Sequence, residues 1–390
     1  MFLKALVDDF GWSRAETSAA MSIYWLTIAL VAPIVGRLVD RHGSRRLMCF
    51  GALILGLAFC ILSVLHTTWH LYGGYFLDGI GAAAMTQVPA AAAVANWFDR
   101  RRGMAMAATL MGMGFGGTFI PPLLSHVIFQ WGWRMGYLAI ALAMVLLTLP
   151  VVALVVRTRP VARELPRDGG DQPGESATVS PGQPELTRPA APDMVKVHKT
   201  PVFWMVAASF FLASLGGIGI GTHEYAFLTD LGWPLGTAAL AISLYGLFAM
   251  VGKLLIGAIA DRTSPSRSAA ICFAFLSACL LLVLAVKVDP VVWLFVVIYG
   301  LGTGGISLVR PLVAVEVFGL GRFGAVYGLI TGLASLGSVV GPLFAGYVFD
   351  ITGSYDTAFA VCALTFALAA VAIWLVRRRS MAAPQGLDQS

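Results

Sequence analysis

Apolar runs long enough to cross a bilayer recur along the whole chain, and this recurrence limits the fold more than any other feature. A bilayer core takes about 20 mostly apolar residues per spanning helix. Such runs lie at roughly 17–37, 47–65, 71–95, 103–128 and 134–156, then at roughly 201–228, 234–259, 268–287, 290–317, 323–349 and 356–376. The chain is 58% hydrophobic and only 12% charged over 390 residues, against about 45–50% and about 25% in a soluble domain. That excludes a water-soluble enzyme, a disordered chain and a secreted disulfide scaffold. An outer-membrane barrel is excluded too, because its strands alternate polar and apolar residues over only about 10 positions. The fold class is all-α, a polytopic membrane protein with eleven spans. Cys49, Cys60, Cys272, Cys279 and Cys362 all fall in apolar stretches without metal-ligand spacing, and read as small hydrophobes.

The two groups of spans define an N-terminal bundle over 1–156 and a C-terminal bundle over 200–379, followed by a tail at 380–390. Residues 157–199 hold 7 of the 19 prolines and 13 of the 46 charges, the composition of a solvated, disordered linker. Alternate loops carry 20 of the 26 Lys and Arg residues; the opposite side carries Lys4, Arg14, Arg134 and Lys287. The positive-inside rule then places the linker and C-terminus in the cytoplasm; the expected location is the plasma (inner) membrane. The net charge of +6 is a topology signal, so nucleic acid is not an expected partner. The bilayer is.

A shift of 221 residues maps the chain onto itself. Gly11 and Trp12 land on Gly232 and Trp233, Ser22 and Tyr24 on Ser243 and Tyr245, and Gly36, Asp40, Arg41 and Arg46 on Gly257, Asp261, Arg262 and Arg267. Gly103, Gly116 and Pro121 land on Gly324, Gly337 and Pro342. Two related bundles with a site between them are a transporter pattern. The span before Gly232 has no counterpart before Gly11 beyond the turn Met1 to Val7. The expectation is a twelve-helix array lacking its first helix, with Met1 an internal methionine; a true eleven-helix chain is the alternative.

With Gly36-Arg-Leu-Val-Asp40-Arg41-His-Gly43-Ser-Arg45-Arg46 and its weaker copy Gly257-Ala-Ile-Ala-Asp261-Arg262, the chain resembles the major facilitator superfamily over almost all of 8–379. Phe10-Gly-Trp-Ser-Arg14, Asn96-Trp97-Phe98 with Arg101-Arg102-Gly103, and Gly132-Trp-Arg134 are similar to the monocarboxylate transporter and oxalate/formate antiporter branch. Two departures weigh against proton-coupled drug export: Tyr75 stands where those exporters carry an arginine, and Gly112-Met-Gly-Phe-Gly116-Gly117 before Pro121-Pro122 replaces the antiporter Gly-Pro motif. The Gly-rich run lies inside a span with no preceding strand, so it is no nucleotide loop.

The resemblance implies a gate at the basic end. Asp40 would latch with Arg102 and hold the outward-facing state, with Asp261 as its counterpart near Arg322; Gly36, Arg41, Arg45, Arg46 and Arg262 complete the set. A carboxylate at a helix N-terminus is the physical basis for such a latch. The alternative is that the arginines only set topology.

Charges inside spans are costly and tend to face a water-filled path or a partner. Lys253 lies four residues before Gly257, where the carriers that this branch resembles place a substrate-binding arginine; its alternative is snorkelling. Arg310 is either a second anion-binding cation or a snorkelling partner of Glu316. Asp78 is a candidate proton carrier or an aspartate at the membrane rim. His223 and Glu224 read first as an interface residue and its solvated neighbour, with proton coupling as the functional alternative. Tyr24, Tyr245 and Gln87 are polar candidates for a substrate cavity, with packing as the default.

No nucleophile, phosphate loop, metal cluster or cofactor motif is present in the sequence. The expected function is secondary transport of a small organic anion, a monocarboxylate, by alternating access with proton symport or anion exchange, in a monomer. The alternatives are a truncated non-transporting sensor or relic, and a drug or sugar carrier of the same superfamily.

Overall fold

The computed structural model describes residues 2, 6, 9–12, 14–157, 197–286 and 288–382. Most of the expected linker and the end of the tail lie outside them, as do Lys4 and Lys287. The N-terminal bundle contains α1 (Arg14–His42), α2 (Ser44–Ser63), α3 (Thr68–Met85), α4 (Gln87–Trp97), α5 (Arg102–Ala143), a π-helical turn at Met144–Thr148 and α6 (Leu149–Val155). The C-terminal bundle contains α7 (Pro201–Asp230), α8 (Leu235–Arg262), α9 (Pro265–Ala285), α10 (Asp289–Phe318), α11 (Phe323–Thr352) and α12 (Asp356–Ala382). There is no β-strand among the described residues.

Helix starts follow local chemistry. The Thr67, Thr200 and Ser264 hydroxyls each accept a hydrogen bond from a backbone N–H in the first turn, and Pro201 and Pro265 stand at the first helical position, where a missing N–H costs nothing. Pro33, Pro311 and Pro342 lie inside helices, which membrane helices tolerate because neighbours satisfy the freed backbone groups.

Nine described stretches are long and apolar enough to cross a bilayer. The sequence suggests eleven for two reasons. The stretch at 71–95 divides at Thr86, whose ψ of −111° interrupts the helix. The runs at 103–128 and 134–156 belong to one continuous assignment with a break at Gly132, whose φ of 82° and ψ of 166° only glycine adopts freely. The two arms that meet there correspond to the two expected spans.

Two seams join the bundles, α1 against α11 and α5 against α8, and glycines form both. A Cβ on Gly36 would collide with the Gly324 carbonyl, and one on Gly328 with that of Ala32; one on Gly332 would meet the Ala29 carbonyl at 2.5 Å. In the second seam a Cβ on Gly257 would meet the Gly103 carbonyl at 2.8 Å and the Ala107 side chain at 3.1 Å. The 221-residue shift takes Gly36 to Gly257 and Gly324 to Gly103, so the seams are copies. Only residues without side chains let helix backbones approach so closely.

The bundles differ in how far they are covered. In the C-terminal bundle α7 packs along α11, and a Cβ on Gly337 or Gly341 would strike the Phe211 or Leu215 carbonyl. The counterpart of Gly337 is Gly116 on α5, where a Cβ would meet nothing within 4 Å; Gly112 is equally open. Phe119, Leu123 and Phe129 further along α5 are exposed.

Candidate functional site

At the basic end each bundle sends one aspartate to the other. Asp40, in the last turn of α1, accepts hydrogen bonds from the Gly324 and Ala325 amides at 2.8 Å each. Asp261, at the end of α8, accepts from the Gly103 and Met104 amides at 2.6 and 3.0 Å. Both carboxylates therefore sit on the N-terminal turn of a helix from the opposite bundle, where the aligned backbone dipoles favour negative charge.

The donors to both aspartates are main-chain amides, which the expected pairings with arginine did not include. Asp40 reaches the helix that follows Arg322, and Asp261 reaches the helix that begins at Arg102. Arg102 pairs with Asp99 at 2.9 Å, and Arg322 is the residue that precedes α11. Gly36 provides the close approach beneath Asp40. Arg41, Arg45, Arg46 and Arg262 are exposed at the ends of α1, α2 and α8.

Lys253 is half-buried on α8, one turn from Gly257 and close to Met250, which packs on Gly114 of α5. Met250, Lys253 and Gly257 share a helix face by their spacing. The shifted counterpart of Lys253 is Ala32, whose carbonyl meets Gly328 in the other seam. Lys253 thus stands on the seam between the bundles, two turns in from Asp261. Its ammonium makes no hydrogen bond or ion pair among the described residues.

Arg310 occupies a different place. It is only 7% exposed, with Nη2 donating to the Ser214 Oγ at 2.9 Å and the guanidinium 5.7 Å from the Phe210 ring centre. Its Nε finds no hydrogen-bond partner among the described residues. The side chain packs against α7 within the C-terminal bundle. Glu316 is not its partner: the Glu316 Oε2 accepts from the Ser266 amide at 2.7 Å and from the Ser266 hydroxyl at 2.6 Å.

Asp78 is half-buried on α3 within electrostatic reach of Tyr24, Tyr75 and Tyr137. The shift takes Asp78 to Tyr299, which stacks on Tyr245 with ring centres 5.8 Å apart. Tyr24 and Tyr245 thus hold matching places, beside an aspartate in one bundle and a tyrosine in the other. Glu224 is completely buried, which corrects the expectation of a solvated neighbour, and neither of its carboxyl oxygens has a hydrogen-bond partner among the described residues. His223 links α7 to α11: its Nε2 donates to the Pro342 carbonyl at 3.1 Å, and its Nδ1 lies 3.2 Å from the Tyr355 hydroxyl. Gln87 is half-buried directly after the break at Thr86.

Ser214, Tyr299 and Ser266 are absent from the residues singled out in the sequence. For Tyr299 the signal was available, since the repeat shift applied to Asp78 leads to it.

Comparison with known proteins gives this architecture its context. The family model of the Major Facilitator Superfamily matches twice, over residues 1–234 and 223–388. The chain belongs to the Major Facilitator Superfamily. Among curated relatives of this superfamily member, it is 26% identical to monocarboxylate transporter 13 of Bos taurus, over 93% of this chain and 80% of that one. It is 25% identical to the gentisate transporter of Corynebacterium glutamicum, over 96% and 82%. The fucose:proton symporter of E. coli shares the fold, with a TM-score of 0.70 at 13% identity, over 96% of this chain and 94% of that one. As a superfamily member the protein is an integral membrane transporter of two pseudo-symmetric helix bundles and not an enzyme.

Proposed function

We propose that this transporter carries a small organic anion, a monocarboxylate, by alternating access, and that Lys253 binds the carboxylate. One observation carries the reading: Lys253 is a cation on the seam between bundles with no ion pair or hydrogen bond among the described residues. An anion held there touches both bundles and senses their relative motion. A charge kept at membrane depth without a protein partner usually serves a substrate or ion path. The names of the relatives, a monocarboxylate transporter and a gentisate transporter, favour the same ligand chemistry.

The bundles meet tightly at the basic end, which the positive-inside rule assigns to the cytoplasm. On this reading the conformation faces outward, with both aspartate latches made. Coupling is by proton symport or anion exchange. Asp78, a carboxyl beside Tyr24 without a cationic partner among the described residues, is the first group to test as proton carrier.

The experiment is uptake of labelled carboxylate into proteoliposomes. Lys253→Ala is expected to abolish uptake without loss of expression, and Lys253→Arg to retain a measurable part because it keeps the charge. Undiminished uptake by Lys253→Ala would refute the assignment.

A further inference from the structure

Glu224 is a buried acid that neither the latches nor the Lys253 site uses. It lies in α7, six residues before the end of that helix at Asp230, and is 0% exposed. Neither carboxyl oxygen meets a hydrogen-bond donor among the described residues. Burying an ionised carboxylate in that way costs far more than burying the neutral acid. An ionisable group kept at such a place within a span marks a functional path more often than a packing accident.

Its polar neighbours are tyrosines. Gly217, Gly221 and Glu224 share one face of α7 by their spacing. The Tyr299 hydroxyl of α10 donates to the Gly217 carbonyl at 3.2 Å. The Tyr245 hydroxyl of α8 lies 3.9 Å from where a Cβ on Gly221 would stand. Both tyrosines are within electrostatic reach of Glu224. The other titratable groups of the packed helices are directed elsewhere. His223 bonds to the Pro342 carbonyl and lies against the Tyr355 hydroxyl. Asp230 of α7 and Asp350 of α11 act on Tyr355, and Cys362 of α12 on Tyr299. Arg310 meets the same face of α7 at Ser214, but ten residues and about 15 Å of helix from Glu224.

The repeat sharpens the observation. The shift takes Tyr245 to Tyr24, which stands beside Asp78. Each bundle thus sets one carboxyl beside the same tyrosine, from α3 in one and from α7 in the other. The counterpart of Glu224 is Leu3 and that of Asp78 is Tyr299, so neither acid belongs to the shared pattern. The two copies reach the same pairing by different routes.

We propose that Glu224 binds the proton that the C-terminal bundle carries through the transport cycle. The acid is protonated in this conformation, with the basic end closed, and gives its proton to water when that end opens. Only one O–H bond forms and breaks, so no co-reactant is needed. Tyr245 links the acid to α8, eight residues and about 12 Å of helix from Lys253. Asp78 is then the corresponding group of the N-terminal bundle. The inference rests on the proposed carboxylate transport for its coupling, which it makes proton symport.

Two measurements on the full chain in bilayers test it. The first is infrared absorption by protonated carboxyl groups at neutral pH. A band present in the unsubstituted protein and missing from Glu224→Gln is expected; identical spectra overturn the proposal. This measurement needs no substrate, so it decides on Glu224 whether or not Lys253 binds a carboxylate. The second is transport of the labelled carboxylate by proteoliposomes. Glutamine keeps the shape and neutrality of the protonated acid but releases no proton. Glu224→Gln is therefore expected to lose accumulation driven by an imposed pH gradient, down to the level without one, and to retain exchange of internal for external carboxylate. Full accumulation, or loss of exchange in a folded variant, overturns the proposal. Should Glu224→Gln fail to fold, Glu224→Asp carries the comparison: a displaced infrared band with partial accumulation is expected, and an unmoved band overturns the assignment.

Discussion

Asp40 and Asp261 show how much one carboxylate can carry at a helix end. Each accepts two backbone N–H groups from the opposite bundle, and a hydrogen bond to a charged group contributes about 1.5–3 kcal/mol. An asparagine keeps one acceptor oxygen but presents an NH₂ to the second amide. Asp40→Asn is therefore expected to shift the gate toward opening by roughly 10- to 100-fold, and Asp261→Asn by a similar factor because the sites are copies. Thiol labelling at Ala107→Cys, buried in the second seam, measures the opening with Cys49 and Cys60 replaced by serine. Unchanged labelling in both variants would remove the latch from the mechanism. At the same scale the sequence misled over Arg310. Six residues separate it from Glu316, about 600° of helical turn, so the two side chains leave α10 on different faces. Spacing along one helix could have excluded that pair; the Ser214 and Ser266 contacts could not be seen, because they join helices 96 and 50 residues apart in the chain.

At the scale of the element, α5 and α11 are one helix design in two surroundings. Gly337 lies under the Phe211 carbonyl, whereas its counterpart Gly116 faces open space. Gly337→Ala is expected to lower Tm, with a cost of about 1–3 kcal/mol for forcing the helices apart. Gly116→Ala is expected to change it little. Equal effects, read from unfolding in detergent, would mean that the two glycines have equivalent surroundings after all. The spans themselves were legible because about 20 apolar residues is a physical requirement of the bilayer. Their breaks were less so. Gly132 looks like any of the 43 glycines until its φ is known, and nothing in the local sequence marks Thr86 as a point of interruption.

For the whole molecule, the repeat was the most informative signal in the sequence, since one shift relates both seams and both cross-bundle aspartates. It could not reveal where the copies had diverged in use. Asp78 against Tyr299 acquires meaning only once the neighbours around each are known. The lopsided distribution of Lys and Arg gives a prediction at this scale. A fluorescent protein fused after residue 382 is expected to mature inside the cell, and alkaline phosphatase fused at Val288 to be active outside it. The reverse pattern would invert the assignment of the closed end.

The latch also has a consequence for genetics. Its acceptors are side chains, but its donors are the main-chain amides of residues 103, 104, 324 and 325. Barring proline, no codon change at those four positions deletes the donor, and none restores a partner for a lost aspartate. A suppressor screen on a variant of Asp40 or Asp261 should therefore return no compensating charge on the facing helix. Revertants should fall elsewhere, at positions that alter how strongly the bundles favour the closed arrangement.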